Sequence, residues 1–354
     1  MNIQRYYLLD ILRGIAAFSV VIFHYKIFYG SEISKEIFFK ENAPLYNFLY
    51  FVYDYGWMAV QFFFILSGFI FYTLYMEKIQ NKKISKFEFF KLRFSRLYPL
   101  HFFTLLICLL IYIYSSHHGY PNIVVADLKH FILNFFLIQN WGLEEFASFN
   151  RPSWSISIEC LLYIIFFFVF SFNFNKYAIS IVCIFLGGAI FFLNKYIGYG
   201  IYCFFIGGLT CLIFNKSIKI VKNLNIYWIF TFLLVIISCI ILNQIENQIY
   251  IKIFVFTFLF PILILNFMSA QNIFKDLGKI FSIIGDVSYS VYLLHYPIQA
   301  IIIVILFKMQ LKINFDSITL FIAYIFFIFL ISFISFKYLE KPFQKLIRNN
   351  KSTK

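Results

Sequence analysis

Long apolar stretches, separated by short polar linkers, make up most of the chain. A membrane-spanning α-helix needs about 20 consecutive apolar residues, and ten stretches approach this length. We predict a transmembrane helix in each of the ten: 8–29, 56–76, 97–115, 155–172, 177–193, 197–214, 226–243, 250–268, 286–307 and 316–336. The stretch 128–139 is apolar but too short to span comfortably, so we interpret it as interfacial or re-entrant. The pattern therefore predicts an all-α, polytopic membrane protein with about ten transmembrane helices.

The composition supports this fold class. Of the 354 residues, 62% are hydrophobic and 13% are charged, whereas about a quarter of an ordinary soluble domain is charged. This balance excludes a water-soluble globular protein. We predict one transmembrane domain over 1–340 and a short basic cytoplasmic tail over 341–354. The six cysteines have no CxxC spacing, so neither a disulfide framework nor a metal site is indicated.

The basic residues predict the orientation in the membrane. The net charge is +14, but the Lys and Arg residues lie between the apolar stretches rather than on one soluble face, so we predict no nucleic-acid partner. Ten crossings place both termini on one side, and about two-thirds of the 30 Lys and Arg residues fall on that side. By the positive-inside rule, both termini are predicted to be cytoplasmic. The first apolar stretch is full length and carries charged residues, so we do not expect it to be a cleavable signal peptide.

The first predicted span carries candidates for chemistry, because charged groups within a bilayer are costly and usually face a cavity or a partner. Arg13 and His24 fall on one face of the helix, about 16 Å apart along its axis at 1.5 Å per residue. Asp10 falls near the same face, and the small Ala17 lies between the two. The alternative is that Asp10 and Arg13 pair at i,i+3 to lower their own insertion cost, while His24 only reaches towards the interface.

Two arginines precede the third predicted span. Arg93 and Arg96 share one helix face at i,i+3 spacing. Arginine binds phosphate through a planar pair of donors, which lysine does not reproduce. The pair is therefore a candidate phosphate-binding fork, and the alternative is an ordinary positively charged flank of a span.

A polar stripe opens the fourth predicted span, in the motif NRPSWSISIEC. Ser155, Glu159 and Tyr163 follow one another at single-turn spacing, and Glu159 falls at about the depth predicted for His24. A carboxylate beside an imidazole can fix its tautomer and stabilise the imidazolium. The alternative is an ion pair between Glu159 and Arg151 at the interface.

A second stripe occurs in the motif DVSYSVYLLHYPIQ, where Ser288, Tyr292, His295 and Gln299 recur on one helix face. Such a face belongs inside a helix bundle. It either lines the cavity or forms hydrogen bonds between helices, and the pattern leaves both alternatives open.

These motifs together carry a family resemblance. They are D-x-L-R-G-x-A with a histidine at R-x10-H in the first span, QFFFILSGF in the second, RFSR leading to LYPLH before the third, PSWSISIE, SYSVYLLHYP and LEKPF. The chain resembles the integral-membrane acyltransferase family 3, many-span O-acyltransferases that modify bacterial surface glycans. Gln61 stands where many members have Asp, and Cys160 stands where a second Glu is common, which puts in doubt only accessory roles of those positions.

The resemblance implies that an acyl group, usually acetyl, passes from cytoplasmic acyl-CoA to a hydroxyl on the outer side of the membrane. It implies that His24 is the family's essential histidine and that Arg13 is the arginine of the same motif. Arg93 and Arg96 match the R-x-x-R pair, and Glu159 matches the glutamate after the Trp. Many relatives carry an additional extracytoplasmic SGNH-type domain, which we do not expect in this chain.

We therefore predict a multi-pass O-acyltransferase of the bacterial cytoplasmic membrane, with acetyl-CoA as donor co-substrate and no metal. The arginines are predicted to bind the CoA phosphates, His24 to act as general base and Glu159 to orient it. The predicted partners are the lipid bilayer and a saccharide or lipid-linked glycan. The residues predicted to line the substrate cavity are Asp10, Ser153, Trp154, Ser155, Tyr292 and His295.

Two alternatives belong to other classes of protein. One is a glycan-lipid exporter or flippase in which the intramembrane Arg, His and Glu residues form a translocation path. The other is a structural or sensory membrane protein without turnover. The arginine fork favours the acyltransferase, because an exporter has no need of a CoA site.

Overall fold

The computed structural model describes residues 5–29, 40–120, 124–172, 174–271 and 273–349. Within these ranges the chain is helical and contains no β-strand, which confirms the all-α class. The α-helices are α1 (Tyr7–His24), α2 (Tyr46–Tyr55), α3 (Ala59–Phe71), α4 (Glu77–Gln80), α5 (Lys86–His117), α6 (Leu128–Phe135), α7 (Trp154–Ser171), α8 (Lys176–Ile190), α9 (Lys195–Val221), α10 (Leu224–Leu242), α11 (Gln248–Phe254), α12 (Phe260–Ala270), α13 (Lys275–Asp286), α14 (Ser288–Met309), α15 (Ile318–Ser335) and α16 (Lys341–Asn349).

Short 3₁₀ or π segments join several of these helices into longer rods. In the described part of the chain, nine such helical segments are long and apolar enough to cross a membrane: Tyr7–Phe28, Tyr46–Gln80, Lys86–His117, Arg151–Ser171, Lys195–Val221, Leu224–Leu242, Gln248–Ala270, Lys275–Met309 and Ile318–Arg348. The polytopic architecture predicted from the sequence is thereby confirmed.

The fifth predicted span, 177–193, is not among these nine segments; it corresponds to α8, which has 15 residues. At 1.5 Å per residue α8 rises about 22 Å, which is less than the ~30 Å hydrocarbon core of a bilayer. The helix ends at Ile190 and a turn follows over 191–193. The apolar stretch is therefore longer than the helix that it forms.

Asparagine side chains set where four consecutive helices begin. Asn175, Asn194, Asn223 and Asn247 are the N-caps of α8, α9, α10 and α11, and each side-chain oxygen accepts hydrogen bonds from backbone N–H groups of the first turn. The first N–H groups of a helix have no partner within the helix, and a short polar side chain supplies one. These polar residues divide a nearly continuous apolar sequence into separate helices.

The stretch 128–139 forms the short helix α6, which begins at its N-cap Asp127. Backbone and side-chain hydrogen bonds from His130 hold the pKa of Asp127 below its usual range. The opposite side of the His130 ring accepts a hydrogen bond from the backbone N–H of Glu145 at 3.2 Å. His130 and Leu133 are buried, whereas Leu128 is exposed. The segment is thus an amphipathic helix of eight residues, too short to span.

The segment predicted as a basic tail begins as a helix. A π turn over Phe336–Glu340 connects α15 to α16, which extends to Asn349. Residues 350–354 of the predicted tail lie outside the described residues.

The chain forms two compact units. Unit 1 comprises Met1–Ala16, Val60–Lys86 and Leu161–Asp286, and unit 2 comprises Ala17–Ala59, Phe87–Cys160 and Val287–Lys354. Each unit has its own buried side chains and its own polar cluster.

In unit 1, α3 and α9 cross so closely that their backbones are in contact. A Cβ atom at Gly68 would overlap the carbonyl oxygen of Phe204, and one at Gly207 would overlap the carbonyl oxygen of Ile65. Only glycine allows two helix backbones to approach this closely, which is a common packing solution in membranes because lipid offers no hydrophobic driving force. Beside the crossing, the rings of Phe71 and Tyr163 stack at 4.7 Å.

In unit 2, the central helix is α14. Its residues from Ser290 to Ala300 are all buried, on every face of the helix. Apolar side chains of α5, among them Leu105 and Cys108, pack with Tyr296 and Ala300 of α14. A polar residue in this part of α14 therefore has to find its partners inside the protein.

Candidate functional site

The structure brings together two histidines that are far apart in sequence. His24 is the last residue of α1, and His295 lies in the second turn of α14. Nδ1 of His24 lies 3.0 Å from Nε2 of His295, and the ring centroids are 5.1 Å apart with an angle of 19° between the ring planes. His295 is fully buried, with 0% of its surface exposed. Its other nitrogen, Nδ1, lies 3.2 Å from the carbonyl oxygen of Val291.

A second contact from α14 fixes the backbone at the end of α1. The amide Nε2 of Gln299 donates a hydrogen bond of 3.0 Å to the carbonyl oxygen of His24. Gln299 follows His295 by one turn and is also fully buried. The ring and the backbone of His24 are therefore both bonded to α14.

The predicted polar stripe of α14 also holds the start of α7. The hydroxyl of Tyr292 donates to the carbonyl oxygen of Pro152 at 2.8 Å and lies 2.7 Å from the hydroxyl of Ser155. In addition, the amide of Asn150 donates to the carbonyl oxygen of Leu293 at 2.9 Å. Tyr292 therefore forms hydrogen bonds between helices, which is one of the two alternatives for this stripe.

The remaining residues of the motif PSWSISIE lie in or near α7. Ser153 is buried, receives a hydrogen bond from the Gln139 amide at 3.2 Å and donates one to Asn134 at 3.4 Å. Trp154 and Glu159 are partly exposed. The structure places His295 at Nδ1 of His24, whereas the sequence suggested Glu159 as the partner that orients this ring. The orienting role of Glu159 stays a prediction.

Two cations missed by the sequence reasoning exert an electrostatic effect on His24. They are Lys26, two residues further along the chain, and Arg151, at the start of the segment that leads into α7. Lys26 lies over the ring of Phe23 at 3.7 Å, and Arg151 lies over the ring of Tyr296 at 6.0 Å. The sequence suggested Arg151 only as an alternative partner of Glu159, and it did not single out Lys26, which lies near the end of the first predicted span.

Arg13 belongs to unit 1 and has partners there. Its guanidinium forms an ion pair of 3.2 Å with Asp10 and donates hydrogen bonds of 2.7 and 3.2 Å to the carbonyl oxygen of Gly285. The other carboxylate oxygen of Asp10 accepts from Arg5 at 2.7 Å, and Arg5 also binds Asp286 at 2.6 Å. The pairing of Asp10 with Arg13, which was the alternative to a functional role, is present.

The arginine fork lies in the first half of α5, in unit 2. Arg93 is buried, with 8% of its surface exposed, and Arg96 is partly exposed. Ser95, between them in sequence, accepts a hydrogen bond of 3.1 Å from Nε of Arg348 on α16. The C-terminal helix thus adds a third arginine to this region, which the sequence reasoning assigned only to a basic tail.

Among the residues that the structure describes, no group of three or more His, Cys, Asp or Glu side chains is arranged to hold a metal ion. The two histidines bond each other and backbone groups of the protein. A neutral imidazole with one placed nitrogen is the usual general base of an acyl-transfer reaction. The fold is that of a multi-pass membrane protein, and unit 2 contains a hydrogen-bonded pair of histidines.

Comparison with known proteins identifies the family. A family model described as "Acyltransferase domain", that of acyltransferase family 3, matches residues 6–337. The chain belongs to this family, as its motifs indicate.

The chain is similar to three named proteins, two of which are named as acyltransferases. "O-acetyltransferase OatA" of Staphylococcus aureus is 26% identical over 329 residues, which is 82% of this chain and 53% of that protein. "Acyltransferase MdmB" of Streptomyces mycarofaciens is 35% identical over 113 residues, which is 31% of this chain and 27% of that protein. "Protein 2 in picA locus" of Rhizobium radiobacter is 31% identical over 129 residues, 36% of this chain and 56% of that protein. The chain spans between about a quarter and about half of the length of these relatives. No solved structure matches it.

Proposed function

We propose that this protein is a membrane O-acyltransferase of the bacterial cytoplasmic membrane. It transfers an acyl group, in our proposal acetyl, from acetyl-CoA to a hydroxyl of a saccharide or a lipid-linked glycan. The observation that carries the proposal is His24, the histidine of the family motif, held at the end of a membrane helix by His295. The printed name of the relative from Staphylococcus aureus supports O-acetyl transfer.

We propose that the arginines of α5 bind the acyl donor. CoA carries phosphate groups, and guanidinium groups bind phosphate through two parallel hydrogen bonds. Arg93 and Arg96 are one turn apart, and Arg348 reaches the same part of α5 through Ser95. In our proposal the N-terminal end of α5, which the positive-inside rule predicts to be cytoplasmic, faces the compartment that contains acyl-CoA.

The acyl transfer itself is proposed to occur at His24. A saccharide hydroxyl is a weak nucleophile, and removal of its proton by an imidazole makes it reactive towards a thioester carbonyl. Lys26 and Arg151 bring positive charge to the surroundings of His24. Positive charge fixed near the reacting carbonyl stabilises the oxyanion of the tetrahedral intermediate.

Inverted membrane vesicles from a bacterial host that expresses the chain test the proposal. Acetyl-CoA labelled in the acetyl group is added outside, and label is counted in base-labile esters of the saccharide fraction. We expect wild-type vesicles to incorporate label, His24→Ala vesicles to lose it, and vesicles with His117→Ala, an exposed histidine at the end of α5, to resemble wild type.

Binding of labelled acetyl-CoA to the purified protein separates the acyltransferase from an exporter. An acyltransferase binds the donor in detergent, and an exporter of glycan lipids does not. Equal incorporation by wild-type and correctly folded His24→Ala vesicles, or no saturable binding of acetyl-CoA, contradicts the proposed function.

A further inference from the structure

Both ring nitrogens of His295 have partners, and one of the partners determines where the proton lies. Nδ1 faces the carbonyl oxygen of Val291 at 3.2 Å. A carbonyl oxygen only accepts hydrogen bonds, so the proton of the neutral His295 ring is on Nδ1. A neutral imidazole has one donor nitrogen and one acceptor nitrogen. Nε2 of His295 is therefore an acceptor.

The same reasoning extends to His24. Nδ1 of His24 lies 3.0 Å from the acceptor Nε2 of His295, so Nδ1 of His24 is the donor. The lone pair of the His24 ring is then on Nε2. We infer that His295 is a positioning residue that fixes His24 in the tautomer with the proton on Nδ1, so that Nε2 of His24 is the atom that removes the proton of the acceptor hydroxyl. The assignment of the tautomer rests on hydrogen bonds alone, whereas the role of Nε2 in the reaction rests on the proposed function.

The position of His295 is itself determined by neighbouring contacts. One turn before it, Tyr292 is bonded to Pro152, and one turn after it, Gln299 is bonded to the backbone of His24. His295 has 0% exposure, so its ring cannot turn into solvent. Contacts one turn before and one turn after His295 thus hold its ring, which lies at an angle of 19° to the ring of His24.

The proposed step balances with these proton positions. Nε2 of His24 takes the proton of the acceptor hydroxyl while the hydroxyl oxygen forms a bond to the thioester carbonyl carbon. The carbon–sulfur bond then breaks, and the departing sulfur receives the proton from Nε2. The products are the ester and CoA with a free thiol, and His24 returns to the same tautomer.

His295 stabilises the intermediate state without changing its own protonation. When His24 is an imidazolium, its Nδ1–H donates a charge-assisted hydrogen bond to Nε2 of His295. The bond from Nδ1–H of His295 to Val291 polarises the ring in the favourable direction. A neutral imidazole here takes the orienting part that a carboxylate takes in a catalytic triad.

The first experiment reads the tautomer directly and does not depend on turnover. The protein is labelled with ¹⁵N in its histidine rings and placed in nanodiscs, and the His24 signals are assigned by their loss in His24→Gln. We expect Nδ1 of His24 to be protonated and Nε2 to be unprotonated in the wild type. A wild-type spectrum with the proton on Nε2 of His24 overturns the inference, whatever the enzymatic activity.

The second experiment uses two variants of one position. Glutamine at 295 keeps an oxygen that can accept from Nδ1 of His24, whereas leucine keeps volume without an acceptor. We expect His295→Leu to lose about 100-fold in kcat, and His295→Gln to lose less than about tenfold, with the KM for acetyl-CoA unchanged in both. Equal kcat values for the two variants overturn the positioning role.

A matched control separates this role from a structural one. His101 is also a buried histidine in unit 2, with 1% exposure, and its Nε2 bonds the carbonyl oxygen of Asn134 at 2.8 Å. His101→Leu and His101→Gln are expected to lower thermal stability but to leave kcat per folded molecule near the wild-type value. Absence of acetyl transfer by the wild-type protein removes the proposed function, and the spectrum still decides the tautomer.

Discussion

The two compact units each contain a cluster of polar groups in an apolar setting, and the clusters differ in how their charges and protons are arranged. The arginine cluster of unit 1 contains Arg5, Asp10, Arg13 and Asp286, two cations and two anions bonded to one another. The histidine cluster of unit 2 contains His24 and His295, which are bonded to each other and, through His295, to the backbone carbonyl of Val291.

From this difference we propose a stabilising role for the arginine cluster and a reactive role for the histidine cluster. In the arginine cluster the two arginines are balanced by two aspartates, and the carbonyl of Gly285 accepts twice from Arg13. Compensated charge is the usual way in which a membrane protein tolerates ionisable residues. In the histidine cluster, the inferred proton positions make Nε2 of His24 the basic nitrogen. The helical pattern places Arg13 and His24 on one face of one helix, whereas the structure gives them different partners: Asp10 and Gly285 for Arg13, and His295 for His24.

Replacement of the base has the largest expected effect. In His24→Ala, turnover with acetyl-CoA falls at least about 100-fold, since general-base catalysis contributes a factor of this order. The dissociation constant for acetyl-CoA stays within about twofold of the wild type. Both quantities are measured in nanodiscs, with folding checked by size-exclusion chromatography. Near-normal turnover in a folded His24→Ala protein would remove the distinction between the two clusters.

Loss of one of the two arginines proposed to bind CoA is expected to weaken the binding of acetyl-CoA. Arg93→Ala or Arg96→Ala removes charge-assisted phosphate hydrogen bonds worth about 1.5–3 kcal/mol each, which weakens acetyl-CoA binding by about 10- to 100-fold. Saturating acetyl-CoA restores part of the turnover. Lys91→Ala, a neighbouring lysine of α5, serves as the control for loss of charge. An equal loss of affinity in the control indicates non-specific attraction instead of a fork.

A substitution in the arginine cluster is expected to act on stability. Arg13→Gln removes the partner of a partly buried carboxylate and costs about 1–3 kcal/mol of unfolding free energy. The affinity for acetyl-CoA falls less than in Arg93→Ala. Thermal unfolding and equilibrium binding of acetyl-CoA are measured on the same preparation. Unchanged stability together with a loss of affinity as large as that of Arg93→Ala shows that Arg13 belongs to the donor site.

The smallest effect is expected for a hydroxyl that holds the histidine cluster in place. Tyr292→Phe removes the hydrogen bonds to Pro152 and Ser155 and costs about 0.5–1.5 kcal/mol of stability. Turnover falls by less than about tenfold, because His295 keeps both of its own bonds. The unfolding temperature and kcat are measured beside Tyr338→Phe, an exposed tyrosine. A loss of turnover as large as in His24→Ala contradicts a purely supporting role for Tyr292.

The helical architecture could be predicted from the sequence because a bilayer leaves few choices. Within the hydrocarbon core each backbone polar group needs a partner in the protein, so a long apolar stretch forms a helix. Helix ends were less certain, as α8 shows: Phe191, Phe192 and Leu193 continue the apolar pattern after the helix has ended. Apolar length therefore does not determine where a helix ends: α8 is shorter than its apolar stretch, whereas α5 and α9 are longer than theirs.

Only part of the candidate site could be predicted from the sequence. Contacts between residues close in sequence were predictable, and contacts between distant residues were not. The pair of Asp10 and Arg13 is local, so the i,i+3 spacing revealed it as an alternative. The pair of His24 and His295 joins the first apolar stretch to the ninth. The spacing on α14 identified the polar face but contained no information on which helix packs against that face. Only the folded chain shows that the partner of His295 is the motif histidine.

The glycine contacts between α3 and α9 determine when unit 1 can be completed during biosynthesis. The chain enters the membrane from its N-terminal end as it is made, so α3 is inserted while α9 has not yet been synthesised. The notch at Gly68 is covered by lipid tails until the carbonyl of Phe204 replaces them. Insertion of α3 and assembly of unit 1 are consequently separate events in time. A bulky residue at Gly207 would leave the first event intact and stop the second, producing a protein that is fully inserted in the membrane and never assembled.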